Sequence, residues 1–282
     1  IRKYKYKMFY VLTYCSNYNY QIYQRFVGSL VDTSHNVAII FFIKTNDIHI
    51  LKKIQNEFSN ISIRYVICDD IPNNIHIQTY RFQLYCQYLK TQILNTDDYI
   101  LLCDSRDLLF QKDVMEIEKF NNEKNDIFIF EEDDIIKNNK HNSKWINKLN
   151  SDIAEDISYI KEKQIICSGT ILGTFYGISC YLEKFNKIVD NLSNKCREFP
   201  GLDQGIHNYI IYSGKLGMFK VKTLNNIDNY INTICLGRKG LNDDNKIVNI
   251  NNEVSCIVHQ YDRLSDNMKS KLSTKYDFVM KR

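Results

Sequence analysis

Tyr99-Ile100-Leu101-Leu102-Cys103-Asp104-Ser105-Arg106-Asp107-Leu108-Leu109-Phe110-Gln111 begins as an apolar run, delivers two carboxylates into a polar turn, and resumes as apolar sequence. A short apolar run bounded by turn formers reads as a strand buried on both faces. Such a strand has no structural use for acids at its end, because isolated carboxylates are strongly disfavoured away from water. A cation between them removes the penalty, and a hard divalent metal prefers oxygen ligands. Residues three apart on a straight strand point to opposite faces. Asp104 and Asp107 can converge only if the strand ends at Asp104 and the chain turns through Ser105-Arg106. The plain alternative is a loop whose acids pair with Arg106 or cap the next element.

Three strand–helix units lead up to this stretch. Residues 8–15 are rich in β-branched and aromatic side chains and read as a buried strand. Ser16 or Asn17 is placed to cap a helix running to about Asp32. Strands follow at 36–44 and 62–68, with helical spacing over 48–58 and 74–94. This alternation predicts an α/β fold with a mainly parallel central sheet flanked by helices. Ligands of such sheets bind beyond the carboxyl ends of strands. Asp104 and residues 14–17 lie at such ends.

Downstream the pattern is irregular. Residues 126–130 read as a short strand ending in four acids, 131–134. Trp145 lies in a polar helical stretch, and 164–175 reads as a strand pair around Ser168-Gly169. Helices are expected over 178–192 and 203–212, a strand at 256–259, and a helix from Ser265. No repeat or Pro/Gly/Ser linker divides the chain. One domain is expected over 1–282, regular in its first half (about 8–112) and irregular in its second (about 113–282).

Composition narrows the function classes. A net charge of +4 over 282 residues is too small to imply nucleic acid. No window approaches the roughly 18 apolar residues of a membrane span. No signal peptide is read, and a start at Ile1 leaves room for a preceding segment. Nine cysteines, with no CxxC pair, sit mostly in apolar runs as small hydrophobes do. That usage points to the cytoplasm or another reducing compartment.

Other residues bear on the acids. His259 ends an apolar strand and would complete a two-carboxylate, one-imidazole site suited to Mn²⁺ or Mg²⁺. Diphosphate oxygens and water could fill the remaining positions on such a metal, and Arg263 would be available to those phosphates as a charge-assisted donor. Gly201-Leu202-Asp203-Gln204-Gly205 places Asp203 at a helix start, either as a cap or toward a ligand that its glycines let approach. Ser168-Gly169 is small and polar inside an apolar run, marking a bulge or a close approach to the backbone.

Together these residues resemble a GT-A-type nucleotide-sugar glycosyltransferase. In that family an α/β nucleotide-binding half carries an acidic metal motif at a strand end. A Ser-Gly turn, an Asp-Gln helix start and a late metal-binding His follow. Here these are Asp104-Ser-Arg-Asp107, Ser168-Gly169, Asp203-Gln204 and His259, in the family's order. The Asp-x-x-Asp form is similar to the glycosyltransferase domain of collagen lysyl hydroxylases, in which both acids and a late His bind Mn²⁺. Gly201-Leu202 depart from that domain, standing where further acids are expected.

The resemblance implies a nucleotide-diphosphate sugar donor, uridine-type by analogy, and a glycan or protein acceptor. It also implies a nucleotide-binding half at about 8–112 and a sugar or acceptor half at about 113–282, with the acids 131–134 facing the acceptor or simply solvent. Asp104, Asp107 and His259 would hold the metal. Tyr14, Arg81, Ser168, Gly169 and Arg263 would contact the donor, with Lys90 a lesser alternative to Arg81. Asp203 and Gln204 would act at the sugar, Asp203 as base in an inverting enzyme. Two readings compete. A sugar-nucleotidyltransferase would show a Gly-rich loop after the first strand, which residues 14–20 lack. A non-catalytic carbohydrate-binding or structural protein would share the fold without metal-dependent donor cleavage.

Overall fold

The computed structural model describes residues 7–234 and 240–272. The first half runs β1 (Phe9–Tyr14), α1 (Tyr20–Thr33), β2 (Val37–Ile43), α2 (Ile48–Glu57), β3 (Ser62–Ile67), α3 (Ile77–Lys90), β4 (Tyr99–Cys103) and β5 (Leu108–Phe110). Then come β6 (Ile127–Ile135), α4 (Lys140–Asn150), β7 (Gln164–Thr174), α5 (Phe175–Asp190), α6 (Asn194–Arg197) and α7 (Leu202–Tyr212). The last part holds β8 (Val221–Leu224), β9 (Ile231–Thr233), β10 (Gly240–Leu241), β11 (Ile247–Val248), β12 (Ile257–His259) and α8 (Asp266–Lys271).

Seven strands form the central sheet in the order β3-β2-β1-β4-β7-β6-β8. β1 pairs in parallel with both β2 and β4, and only β7 runs antiparallel to its neighbours. The chain steps outward from β1 to β3, then crosses back to lay β4 on the other side of β1. Between β1 and β4 the direction of winding reverses, and there the carboxyl ends of the strands leave a crevice.

Alternation along each strand sends neighbouring residues into separate cores. Leu12, Ile40, Leu102 and Ile171 pack with Phe82, Phe185 and Ile206 from α3, α5 and α7. Val11, Ile39, Leu101 and Leu172 face the other way, against Phe26 and Leu30 of α1 and Ile54 of α2. Every residue of β2 and β4 is buried, as expected of parallel strands covered on both faces.

Three expectations are corrected. Asn19, not Ser16 or Asn17, caps α1, its side chain accepting from the Ile22 amide at 3.1 Å. The Ser16 hydroxyl instead donates to Asp47 at 2.6 Å, and Asn17 takes a left-handed φ of 62°. Gln164–Thr174 form one long strand, β7, rather than a pair: β6 pairs with it near both ends, with register shifts between, and β4 flanks its second part, Thr170–Thr174. The acids 131–134 lie within β6, whose register against β7 shifts twice there. The helix expected from Ser265 is described to Lys271, and its continuation lies outside the described residues.

A smaller sheet, β5-β12-β9, forms beside the first. Its register sets His259 opposite Leu108 and Thr233, so the histidine arrives beside the turn that carries the two acids. All eight described cysteines are free thiols.

Candidate active site

The turn after β4 is held from two sides. The Asp104 amide donates to the Gly169 carbonyl at 3.0 Å, and the Asp107 carbonyl accepts from the amides of Gln260 (2.7 Å) and Tyr261 (3.3 Å). The Tyr261 hydroxyl donates to the Arg106 carbonyl at 2.9 Å. Asp104 and Asp107 converge as a consequence. His259 Nε2 lies 3.5 Å from Asp104 Oδ2 and 3.7 Å from Asp107 Oδ1. These separations are too long for good hydrogen bonds, yet short enough for one cation to touch all three groups. Nε2 is buried and has no partner at hydrogen-bonding geometry.

Gly169 keeps the space open. A Cβ there would meet His259 Cε1 at 2.5 Å, Asp104 Oδ2 at 2.7 Å and His259 Nε2 at 2.8 Å. The donor set (two carboxylates and one imidazole) suits a hard or borderline divalent ion. Without one, the charges balance locally. Burial would raise the Asp104 pKa, but the Arg81 guanidinium and His259 hold it below the usual carboxylate range. Burial raises Asp107, with the charge of Asp104 adding to the effect.

Arg81 joins the acidic turn to α7. One guanidinium nitrogen bonds Asp104 Oδ1, and the other lies 3.2 Å from Asp203 Oδ2. Asp203 also accepts from the Ser168 hydroxyl at 3.2 Å, and burial raises its pKa against the pull of Arg81. Gln204 fastens α7 to β7. It accepts from the Ser168 amide (2.7 Å) and donates to the Ile166 carbonyl (2.8 Å) and Asn142 (3.1 Å). Its amide group is thus engaged in holding Asp203 beside Ser168.

Gly201 opens α7 as its cap with φ 79°, and a Cβ there would fall within 2.2–2.5 Å of the Trp145 indole. The close approach that this glycine permits is to Trp145. Asp203 lies in the first turn rather than at the cap.

A cleft of about 440 Å³ opens where β1 and β4 end, lined by Tyr14, Tyr18, Lys44, Gln78, Arg81 and Asp104–Asp107. Tyr14 and Arg81 both lie on this cleft. Arg263 is exposed on the turn after His259 and outside that lining, with Glu132 within reach of its charge. Lys90 pairs with Glu183 across α3 and α5, away from the cleft. Lys44 and Gln78 were not singled out in the sequence, since a lone Lys after a strand and a Gln in a helix's first turn carry no local signature.

No family model and no curated protein sequence matches this chain. Among solved structures, the apo form of the WbbM bifunctional glycosyltransferase aligns with a TM-score of 0.55 at 13% identity. The alignment covers 97% of this chain and 51% of that one, so the chain spans about half of WbbM. The fold is GT-A-like. Apo mouse xyloside xylosyltransferase 1 aligns at 12% identity over 82% of this chain and 88% of that one, with a TM-score of 0.49. A 4-diphosphocytidyl-2C-methyl-D-erythritol synthase from Anaerococcus prevotii aligns at 15% identity over 78% and 89%, with a TM-score of 0.45. At such identities the GT-A-like likeness concerns the path of the chain. No helix among the described residues is long and apolar enough to cross a membrane.

Proposed function

We propose that this chain is a glycosyltransferase that moves a sugar from a nucleotide-diphosphate donor, uridine-type by the resemblance, to a glycan or protein acceptor. One observation carries the reading. A buried imidazole nitrogen without a hydrogen-bond partner faces two carboxylates across a space that glycine leaves open, where β1 and β4 end. Asp104, Asp107 and His259 would hold Mn²⁺ or Mg²⁺, and the ion would neutralise charge on the departing diphosphate.

The remaining work falls to the chain's own groups. Tyr14 lines the cleft at the end of β1 and is placed to lie against a nucleobase, with Lys44 nearby as a cation for the donor. Arg81 fixes Asp104 relative to Asp203, so the phosphate end and the sugar end of a donor would be held in one frame. Asp203, oriented by Ser168, is the group to engage a sugar hydroxyl or, in an inverting course, to take the acceptor proton. The connection from β1 to α1 contains no glycine, which disfavours the phosphate loop of a nucleotidyltransferase.

The test is release of nucleoside diphosphate from a panel of UDP- and GDP-sugars with Mn²⁺, Mg²⁺ or a chelator. Chelation should abolish release, and Asp104→Asn and His259→Ala should each slow it by about 100-fold or more. Unchanged, metal-independent rates in both variants would overturn the reading.

A further inference from the structure

His259 can serve a cation through Nε2 only if its proton sits on the other nitrogen. Left to themselves, Asp104 and Asp107 favour the opposite tautomer, because a proton on Nε2 would point at both of them. Some group must therefore hold the proton on Nδ1. The structure places the Cys167 sulfur 3.4 Å from Nδ1, and both residues are buried, at 3% and 1% exposure.

Beside Cys167 stands Glu132, 8% exposed, whose carboxyl group is within reach of both the thiol and the charge of His259. Either carboxyl form can accept through a carbonyl oxygen, so the contact survives whatever the ionisation of Glu132. Local folding explains the alignment. Adjacent residues of β7 point to opposite sides, so Ser168 turns to Asp203 while Cys167 turns to His259. The register shift between Ile129 and Glu131 re-aims the end of β6, and Glu132 alone among 131–134 is buried.

We propose that Glu132 and Cys167 form a positioning relay, in which His259 Nδ1–H donates to the Cys167 sulfur and the Cys167 thiol donates to Glu132, presenting His259 Nε2 as a free ligand toward Asp104 and Asp107. Metal-bound histidines commonly donate their second N–H to a carboxylate directly; here a thiol is interposed. The relay rests on the metal reading above and adds two residues that touch neither metal nor donor.

Mn²⁺ titration calorimetry on the full chain tests it. Cys167→Ala and Glu132→Leu, which removes the acceptor, should each weaken Mn²⁺ binding by about 10–100-fold. Cys167→Ser should bind like the unaltered chain, since a hydroxyl can accept from Nδ1 and donate to Glu132. Ring ¹⁵N spectra of the unaltered chain loaded with diamagnetic Mg²⁺ should show His259 protonated at Nδ1. Should Cys167→Ala fail to fold, Glu132→Leu and these spectra decide. Unaltered affinity in Glu132→Leu and in any folded Cys167→Ala chain, or an Nε2-protonated ring, would overturn the relay. Failure of the unaltered chain to bind either ion would instead remove the metal reading and the relay with it.

Discussion

A methyl group at position 169 would sit 2.5 Å from His259 Cε1 and 2.7 Å from Asp104 Oδ2, so Gly169→Ala must push a candidate ligand aside. We expect at least about a tenfold loss of Mn²⁺ affinity by calorimetry, with metal-free thermal stability much less affected. Full affinity in this variant would show that the space between the three groups is not where the ion sits. His207 makes a different prediction. It is fully buried on α7, its Nδ1 meets the Tyr181 hydroxyl at 2.8 Å, and burial pushes its pKa down to about 3. The unfolded chain takes up this proton near pH 6.5 and the folded chain only near 3. Between those values the unfolded state binds more protons, so stability falls as pH falls, by about 1.4 kcal/mol per pH unit. Urea midpoints measured from pH 7 to 4.5 should decline less steeply in His207→Gln than in the unaltered chain. Equal slopes would refute the assignment.

At the scale of elements, the junction of β7 and α7 matters most, because it sets Asp203 and Ser168 beside the acidic turn. Gln204→Leu removes both amide partners and leaves the Ser168 amide and Ile166 carbonyl with fewer bonds. We expect a loss of about 1–3 kcal/mol for a buried group left unsatisfied, read by urea denaturation, with donor turnover falling further than stability alone explains. A turnover loss no larger than the unfolded fraction would make Gln204 purely architectural. The elements up to β4 were legible because continuous apolar strands alternate with helical spacing, and the acids at 104 and 107 broke that pattern audibly. The stretch 164–175 misled, since Ser168-Gly169 has the composition of a turn. Tertiary context kept it extended: β4 and β6 pair along both its sides, and the glycine is there for His259 and Asp104. Bulges such as those within β6 depend on partner register, which no local pattern records. The engagement of Arg81 with two distant acids was hidden for the same reason.

Across the whole molecule, the two cores share one sheet, so neighbouring residues of β4 answer to different halves of the packing. Leu101→Ala and Leu102→Ala empty opposite cores and should each cost about 2–5 kcal/mol. Near-neutrality of either in urea unfolding would mean that its face is not covered as described. The site draws on this whole assembly. Its acids close the first half, while the histidine that faces them follows by more than half the chain's length. Arg106 likewise pairs with Asp262, 156 residues further on. During synthesis from the N-terminus, Asp104 and Asp107 leave the ribosome long before His259 exists. Arg81 and Arg106 are by then already made, each in contact with one of the acids in the finished fold. Counter-charges for both acids are thus encoded ahead of His259, so β4 need not wait for the histidine to settle into the sheet.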